Sequence, residues 1–243
     1  MVDIHCHILH QYDDGSPSLS ESLEMARMAA ESGTTDIAVT PHFVGMSASL
    51  KDLPLLMDHF QELSQAIARA QIPVTLHPGA EILCLPETAE LARRKLLPTI
   101  GDTHYLLVEF YFDESLRYMD EMLHRIHSAG YIPVVAHPER YDAIQQDPLM
   151  LQRWFRSGYV LQLNKGSILG AFGRRAERAA HIILEAGLAH LIASDAHSSS
   201  RRTPHMKALH RWLDHNLSAD YARILTEENP RRIIRGEALV PVD

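Results

Sequence analysis

The chain has 243 residues, of which 46% are hydrophobic and 22% charged, a size and balance that suit one folded core and exclude a disordered protein. Its 23 basic and 31 acidic side chains leave a formal charge of −8, which argues against a surface built to grip nucleic-acid phosphates. Two cysteines, one of them inside a histidine cluster, exclude a disulfide framework.

The opening, MVDIHCHILHQYDD, places His and Asp where a signal peptide has a basic and then an apolar stretch, and no later apolar run reaches the ~18 residues of a membrane span. A cytoplasmic protein without a membrane span is therefore expected. Residues 2–8 (VDIHCHI) are the first strand candidate. A helix follows over 18–32, started by a capping box at Ser18-Leu-Ser-Glu21 and stopped by Gly33, with Leu23, Met25 and Met28 on its packing face. Six more strand candidates, 35–39, 72–76, 105–109, 131–136, 159–163 and 189–193, alternate with helical spacing over about 52–70, 87–95, 115–129, 148–157, 174–187 and 204–216. Residues 217–235 read as a terminal helical segment. Strict alternation predicts a parallel sheet, and seven units without a break predict a single domain over 1–243, an α/β distorted (β/α)7 barrel of TIM type, with an open doubly wound sheet as the rival.

Sixteen histidines are an excess for this length, and their placement is informative. His5 and His7 are two apart on one strand and share a face, with Asp13-Asp14-Gly15 just beyond. Strand two runs into Thr40-Pro41-His42, strand three into Gly79-Ala80-Glu81, and strand four closes with Glu109. Strand five leads to His137-Pro138-Glu139-Arg140 and strand seven to Ser194-Asp195-Ala196-His197. Taken singly each has a plain explanation: an exposed pair, a turn, a helix cap or a strand terminator. Taken together they fall at the one barrel mouth where such folds carry active sites. The other histidines lie mainly in helices or at strand starts and read as surface or packing residues, and Trp154 and Trp212 as packing anchors.

Nine candidate ligands result: His5, His7, Asp14, His42, Glu81, Glu109, His137, Asp195 and His197. One ion with three or four ligands cannot use nine, so two or three are implied. Two divalent ions would neutralise the four carboxylates, whereas three would leave a positive site that attracts a phosphate dianion. Imidazole and carboxylate without thiolate suits Mn²⁺, Zn²⁺ or Fe rather than Mg²⁺ or Ca²⁺. Cys6 points away from the His5/His7 face. Such a site lowers the pKa of a bridging water and directs the hydroxide at phosphorus, which makes phosphate-ester hydrolysis the expected reaction. Arg140 and Arg202 are placed to offer guanidinium forks to the phosphate oxygens. Neither cysteine begins a Cys-x5-Arg loop, and Ser194 lacks a Gly-rich elbow, so covalent catalysis is disfavoured.

The stretch MVDIHCHILHQYDDGSPSLSESLEMARMAAESGTTDIAVTPHF, then PGAEI, LLVEF, GYIPVVAHPERY, LQLNKGSILGAFG and IASDAH followed by RRTPHM, resembles the PHP-family (polymerase and histidinol phosphatase) bacterial tyrosine-protein phosphatases of capsule and exopolysaccharide operons. The likeness spans about residues 1–235. It implies a PHP-type barrel, three ions with Mn²⁺ foremost and Fe or Zn as substitutes, and dephosphorylation of a bacterial tyrosine kinase that controls polysaccharide synthesis. It further implies that His5, His7, Asp195 and a bridging Glu81 hold one ion, Glu81, Glu109 and His137 a second, and Asp14, His42 and His197 the third. Arg140 and Arg202 match the family's phosphate-binding arginines; His197 or a metal-bound water is a candidate proton donor and Asp195 a candidate proton acceptor. Phe43 and Lys165 depart from the family pattern and are expected to reshape the mouth. Rivals are a phosphoesterase of the same fold acting on histidinol phosphate or a nucleotide, a non-catalytic scaffold that docks on a kinase, and an amidohydrolase, which would want a different histidine spacing or a carbamylated lysine.

Overall fold

Tyr105, Leu107 and Glu109 point to one side of their strand while Leu106 and Val108 point to the other, and this two-residue alternation organises the whole molecule. The computed structural model describes residues 1–242. All strand pairs are parallel. One sheet has the order β1 (Val2–Cys6), β2 (Asp36–Val39), β4 (Thr75–Pro78). The other has the order β3 (His42–Val44), β5 (Glu81–Leu83), β6 (Tyr105–Glu109), β7 (Ile132–Ala136), β8 (Val160–Asn164), β9 (Leu191–Ala193).

The seven expected strands are all represented, but two staves are broken. Thr40-Pro41 separates β2 from β3, and Gly79-Ala80 separates β4 from β5. Pro41 has no N–H to give, so the ladder stops there and the chain re-pairs beyond it in the second sheet. The third candidate also sits later than expected, at Thr75–Pro78, because the chain is still turning at Gln71, whose φ is 53°. At the seam, β9 returns to β1 through one bridge, Cys6 to Ala196, and through the bonds Asp195 N–H to His5 C=O (2.9 Å) and His7 N–H to Ala196 C=O (2.8 Å). The result is the expected distorted (β/α)7 arrangement.

Helices α1 (Leu19–Glu31), α2 (Leu53–Arg69), α3 (Thr88–Arg93), α4 (Leu116–Ser128), α5 (Asp142–Gln146), α6 (Gln152–Arg156), α7 (Lys165–Ile168) and α8 (Arg174–Glu185) follow in chain order. They are succeeded by α9 (Lys207–Asn216), α10 (Ala219–Arg223) and α11 (Asn229–Ile234). The longer ones bury one face, such as Met119, Leu123 and Ile126 of α4, against the outward side chains of the strands. Each such side chain contributes about 1.5–3 kcal/mol on burial. A separate apolar cluster fills the barrel, including Val2, Ile4, Leu107, Val134, Val160 and Leu191, and is plugged from below by Ile100, Ile233 and Ile234. The short α5 and α7 were not legible as periodic segments, because four or five residues hold barely one turn. No helix among the described residues is long and apolar enough to cross a membrane.

Ser18 caps α1 by accepting from the Glu21 N–H at 3.2 Å, as expected. The Glu21 carboxylate does not reach back to close the capping box. It accepts instead from the N–H of Ser199 at 2.7 Å, tying the start of α1 to the loop that follows β9.

Candidate metal centre

The polar residues lie above the apolar plug, toward the C-terminal ends of β1, β6, β7 and β9 and just past the breaks that follow β2 and β4. Glu109 continues the inward face of β6, while His42 and Glu81 open β3 and β5, directly paired in register. Two placements depend on broken alternation. In β1, Val2 and Ile4 belong to the barrel interior, yet His5 and His7 also turn inward, because the register with β2 shifts between Asp3 and Cys6. That bulge re-aims the strand at the point where the site begins. His137 would point outward after Ala136, but its left-handed backbone, φ 36°, swings it in. Asp195 and Arg202 also hold positive φ, at 50° and 47°. Three strained non-glycine residues in one site show that the surrounding packing over-determines its shape.

Glu81 is the hub. One oxygen lies 2.9 Å from His137 Nε2 and 3.2 Å from His5 Nε2, the other 3.2 Å from His7 Nε2 and 3.1 Å from His42 Nδ1. Glu109 meets His42 Nδ1 at 2.9 Å. Asp14 is exposed and stands 3.5 Å from both His42 and His197. Asp195 divides its carboxylate: Oδ1 faces His5, His7 and His197 at 3.5 to 3.6 Å, while Oδ2 faces Arg202 at 2.5 Å and Arg140 at 3.5 Å. The Asn164 side-chain amide also donates to Oδ2.

All nine candidate ligands are thus brought together, in four overlapping groups whose donor atoms lie within 4.8 Å of one another: His7, Asp14, His42 and His197; His5, His7 and Glu81; His5, His137 and Asp195; His42, Glu81 and Glu109. The partition differs from that implied by resemblance. Glu109 groups with His42 rather than His137, and His137, although it lies 2.9 Å from Glu81, groups with His5 and Asp195.

The donor set fits divalent cations on its hydrogen bonding. His5 Nδ1 donates to Gln162 Oε1 (2.8 Å), His7 Nδ1 to Asp13 (2.6 Å) and His197 Nδ1 to the Asp195 carbonyl (3.1 Å). With each Nδ1 engaged outward, each ring, once its Nε2 carries no proton, aims a lone pair inward, the arrangement used by metal-binding histidines. His5 and His7 present those nitrogens to each other at 3.2 Å, and His197 Nε2 is buried with no hydrogen-bond partner.

Proton energetics show a site that gathers positive charge. Burial opposes a charged His7, but its hydrogen bonds to Asp13 and Glu81 bring it up to about 9. Burial likewise opposes a charged His42, which Glu109 and Glu81 raise to about 11. Burial alone would push the carboxyls of Glu81 and Asp195 up. The imidazoles of His5, His137 and His42 hold Glu81 well below the usual carboxylate range, and the charges of His5, His137 and Arg202 do so for Asp195. The carboxylates thus stand ionised and cation-seeking. His197, buried and near the charges of His7 and Arg202, falls to about 3 and is neutral.

Sequence reasoning missed Asp13, Gln162 and Asn164, which hydrogen-bond to the candidate ligands His7, His5 and Asp195. Nothing in the DDG turn distinguishes Asp13 from Asp14, and a glutamine or asparagine on a strand carries no metal signal. Gly15 was legible as a turn: a Cβ there would stand 2.2 Å from the His7 carbonyl, so the loop can fold onto β1 only without one. Phe43 does not reshape the mouth, because it lies on the opposite face of β3 from His42 and is buried among helix-facing residues. Lys165 is 8% exposed and reaches inward, donating to the carbonyls of Thr203 and, at 3.3 Å, of His205. It ties down the loop that carries Arg202.

Comparison with known proteins gives a consistent result. The family described as capsular polysaccharide synthesis, CpsB/CapC, matches residues 1–235. The tyrosine-protein phosphatase YwqE of Bacillus subtilis is 35% identical over 98% of this chain and 93% of its own length. The putative tyrosine-protein phosphatase CapC of Staphylococcus aureus is 34% identical over 92% of this chain and 87% of its own. A crystal structure from work on YwqE and CpsB of Streptococcus pneumoniae, described as unique metal-dependent tyrosine phosphatases, superposes with a TM-score of 0.88 at 33% identity, covering 99% of this chain and 96% of the other.

Proposed function

The chain belongs to the capsular polysaccharide synthesis CpsB/CapC family, and on that premise we propose that it is a metal-dependent protein-tyrosine phosphatase. Its substrate in this reading is a phosphotyrosine protein, a bacterial tyrosine kinase that regulates capsular or exopolysaccharide synthesis, met in the cytoplasm. His5, His7, Asp14, His42, Glu81, Glu109, His137, Asp195 and His197 would hold three divalent ions, Mn²⁺ foremost with Fe or Zn as substitutes. When bound, such ions supply Lewis-acid charge and make water a nucleophile near neutral pH.

The observation that carries the reading is the divided carboxylate of Asp195, with imidazoles on one oxygen and two guanidinium groups on the other. Arg140 and Arg202 stand where a phosphoryl group attracted to the cluster would present its non-bridging oxygens, and each can offer a fork of N–H donors. His197, held neutral, offers a lone pair more readily than a proton. A phenolate of pKa about 10 needs little help in leaving, so a weak or absent general acid is compatible with a tyrosine phosphate and less so with an alkyl one.

Turnover of a phosphotyrosine peptide, histidinol phosphate and an oligonucleotide should be compared before chelation, after it, and after Mn²⁺ is restored. The reading expects activity on the peptide that disappears with the metal and returns with it. Full activity after exhaustive chelation, or clear preference for either other substrate, would overturn it.

A further inference from the structure

Arg140 and Arg202 come from different parts of the chain, one from the turn after β7 and the other from the loop after β9, yet both meet the same aromatic ring. The guanidinium carbon of Arg140 lies 4.3 Å from the centroid of Phe172, and that of Arg202 lies 5.5 Å from it. The ring of Phe112 covers Arg140 at 4.4 Å. Phe172 stands between α7 and α8 and is seated directly on Gly166, where a Cβ would be 2.4 Å from its Cε2. No larger residue at 166 leaves the ring in that place.

Two guanidinium groups sharing one carboxylate oxygen repel each other and, tethered only there, can swing about that point. A ring face attracts cations through its quadrupole and suits the planar guanidinium in particular. We infer that Phe172 is a positioning residue that sets the orientation of Arg140 and Arg202 together, so that their donors converge on a phosphate dianion, with Phe112 as a second wall for Arg140. This rests on the reading of the two arginines as phosphate contacts. Phe172 itself need not touch the substrate.

The test uses the full Mn²⁺-loaded chain, with inorganic phosphate as a competitive inhibitor of phosphotyrosine-peptide hydrolysis and metal content measured alongside. Arg140→Ala and Arg202→Ala should each raise the inhibition constant. Phe172→Leu, which keeps apolar bulk but removes the ring, should raise it about five- to tenfold with metal content unchanged. Phe172→Tyr should stay within about twofold of the parent, and Phe172→Leu should add nothing in the chain lacking both arginines. Gly166→Ala, which unseats the ring without removing it, should move the constant in the same direction and decides the matter if Phe172→Leu does not fold. If the arginine variants raise the constant but neither Phe172→Leu nor Gly166→Ala does, the positioning role is overturned and the arginine reading survives. If the arginine variants leave phosphate inhibition unchanged, both are overturned. An equal loss from Phe172→Leu with and without the arginines would make the ring a mere filler, which also overturns the inference.

Discussion

Asp13 accepts from His7 Nδ1 at 2.6 Å, and the same Asp13 oxygen accepts from the backbone N–H of His42 at 2.9 Å. Of two adjacent acids in one turn, this one faces inward to orient a histidine, while Asp14, with a side chain 68% exposed, faces the site from outside. Fixing the ring and its tautomer from behind is what makes Nε2 available as a ligand.

Replacing Asp13 with Ala should therefore weaken metal binding about 10- to 100-fold while leaving the fold intact. Mn²⁺ titrated calorimetrically into the chelated chain would measure this. An affinity within twofold of the parent would mean that His7 needs no such support.

Metal loading should rise with pH. His7 is held up to about 9 and His42 to about 11 in the metal-free site, so at neutral pH both carry a proton that a cation must displace. Each proton released gives about a tenfold gain in apparent affinity per pH unit. A plot of log affinity against pH from about 6 to 8 should climb with a slope between about one and two. In the chelated chain the sign reverses for stability: the His7 contribution is complete below its ordinary value of 6.5 and is lost as pH rises through about 9. A flat affinity profile would show that the protons are already gone.

The alternation of strands and helices made the barrel readable, because each long helix has an apolar stripe and each strand a short apolar run. The convergence of the nine candidate ligands was readable because strand ends in such a barrel share a mouth. What could not be read depends on pairing or on choice between equals. The β1 bulge exists only relative to β2, and His137 faces inward through a backbone angle that the string HPER does not encode. The split of β2 from β3 falls at Pro41, and the short strand that His42 opens is defined only by its pairing with β5, which lies almost forty residues on.

Lys165 departs from the family pattern, and its role follows from the fold. Its ammonium is buried and satisfies the carbonyls of Thr203 and His205, on either side of Pro204. Lys165→Met should leave those carbonyls without a donor, at a cost of about 1–3 kcal/mol, and should let the Arg202 loop drift. Denaturant unfolding and the KM for a phosphotyrosine peptide should both respond, KM rising severalfold. Lower stability with an unchanged KM would show that the tether supports the fold and not the site.

His190 is not part of the candidate metal centre and gives an independent test in acid. Its Nδ1 accepts from the Leu161 N–H at 3.0 Å, and its ring stacks on Phe155 with centroids 4.7 Å apart. Burial lowers its pKa from 6.5 to about 4, so the folded chain holds it neutral while the unfolded chain takes up a proton. The contribution to stability is therefore complete above 6.5 and lost as pH falls toward 4. Taken from about pH 7.5 to about pH 5, this one group should cost on the order of 2 kcal/mol. His190→Asn keeps an acceptor for Leu161 but has nothing to titrate. It should be less stable than the parent at neutral pH, through loss of the stack, and the gap should narrow in acid. Unfolding both chains in denaturant with excess chelator cancels the contributions of the metal-site histidines, which the two share. If the gap between them does not change across that pH range, His190 is not the group that acid discharges.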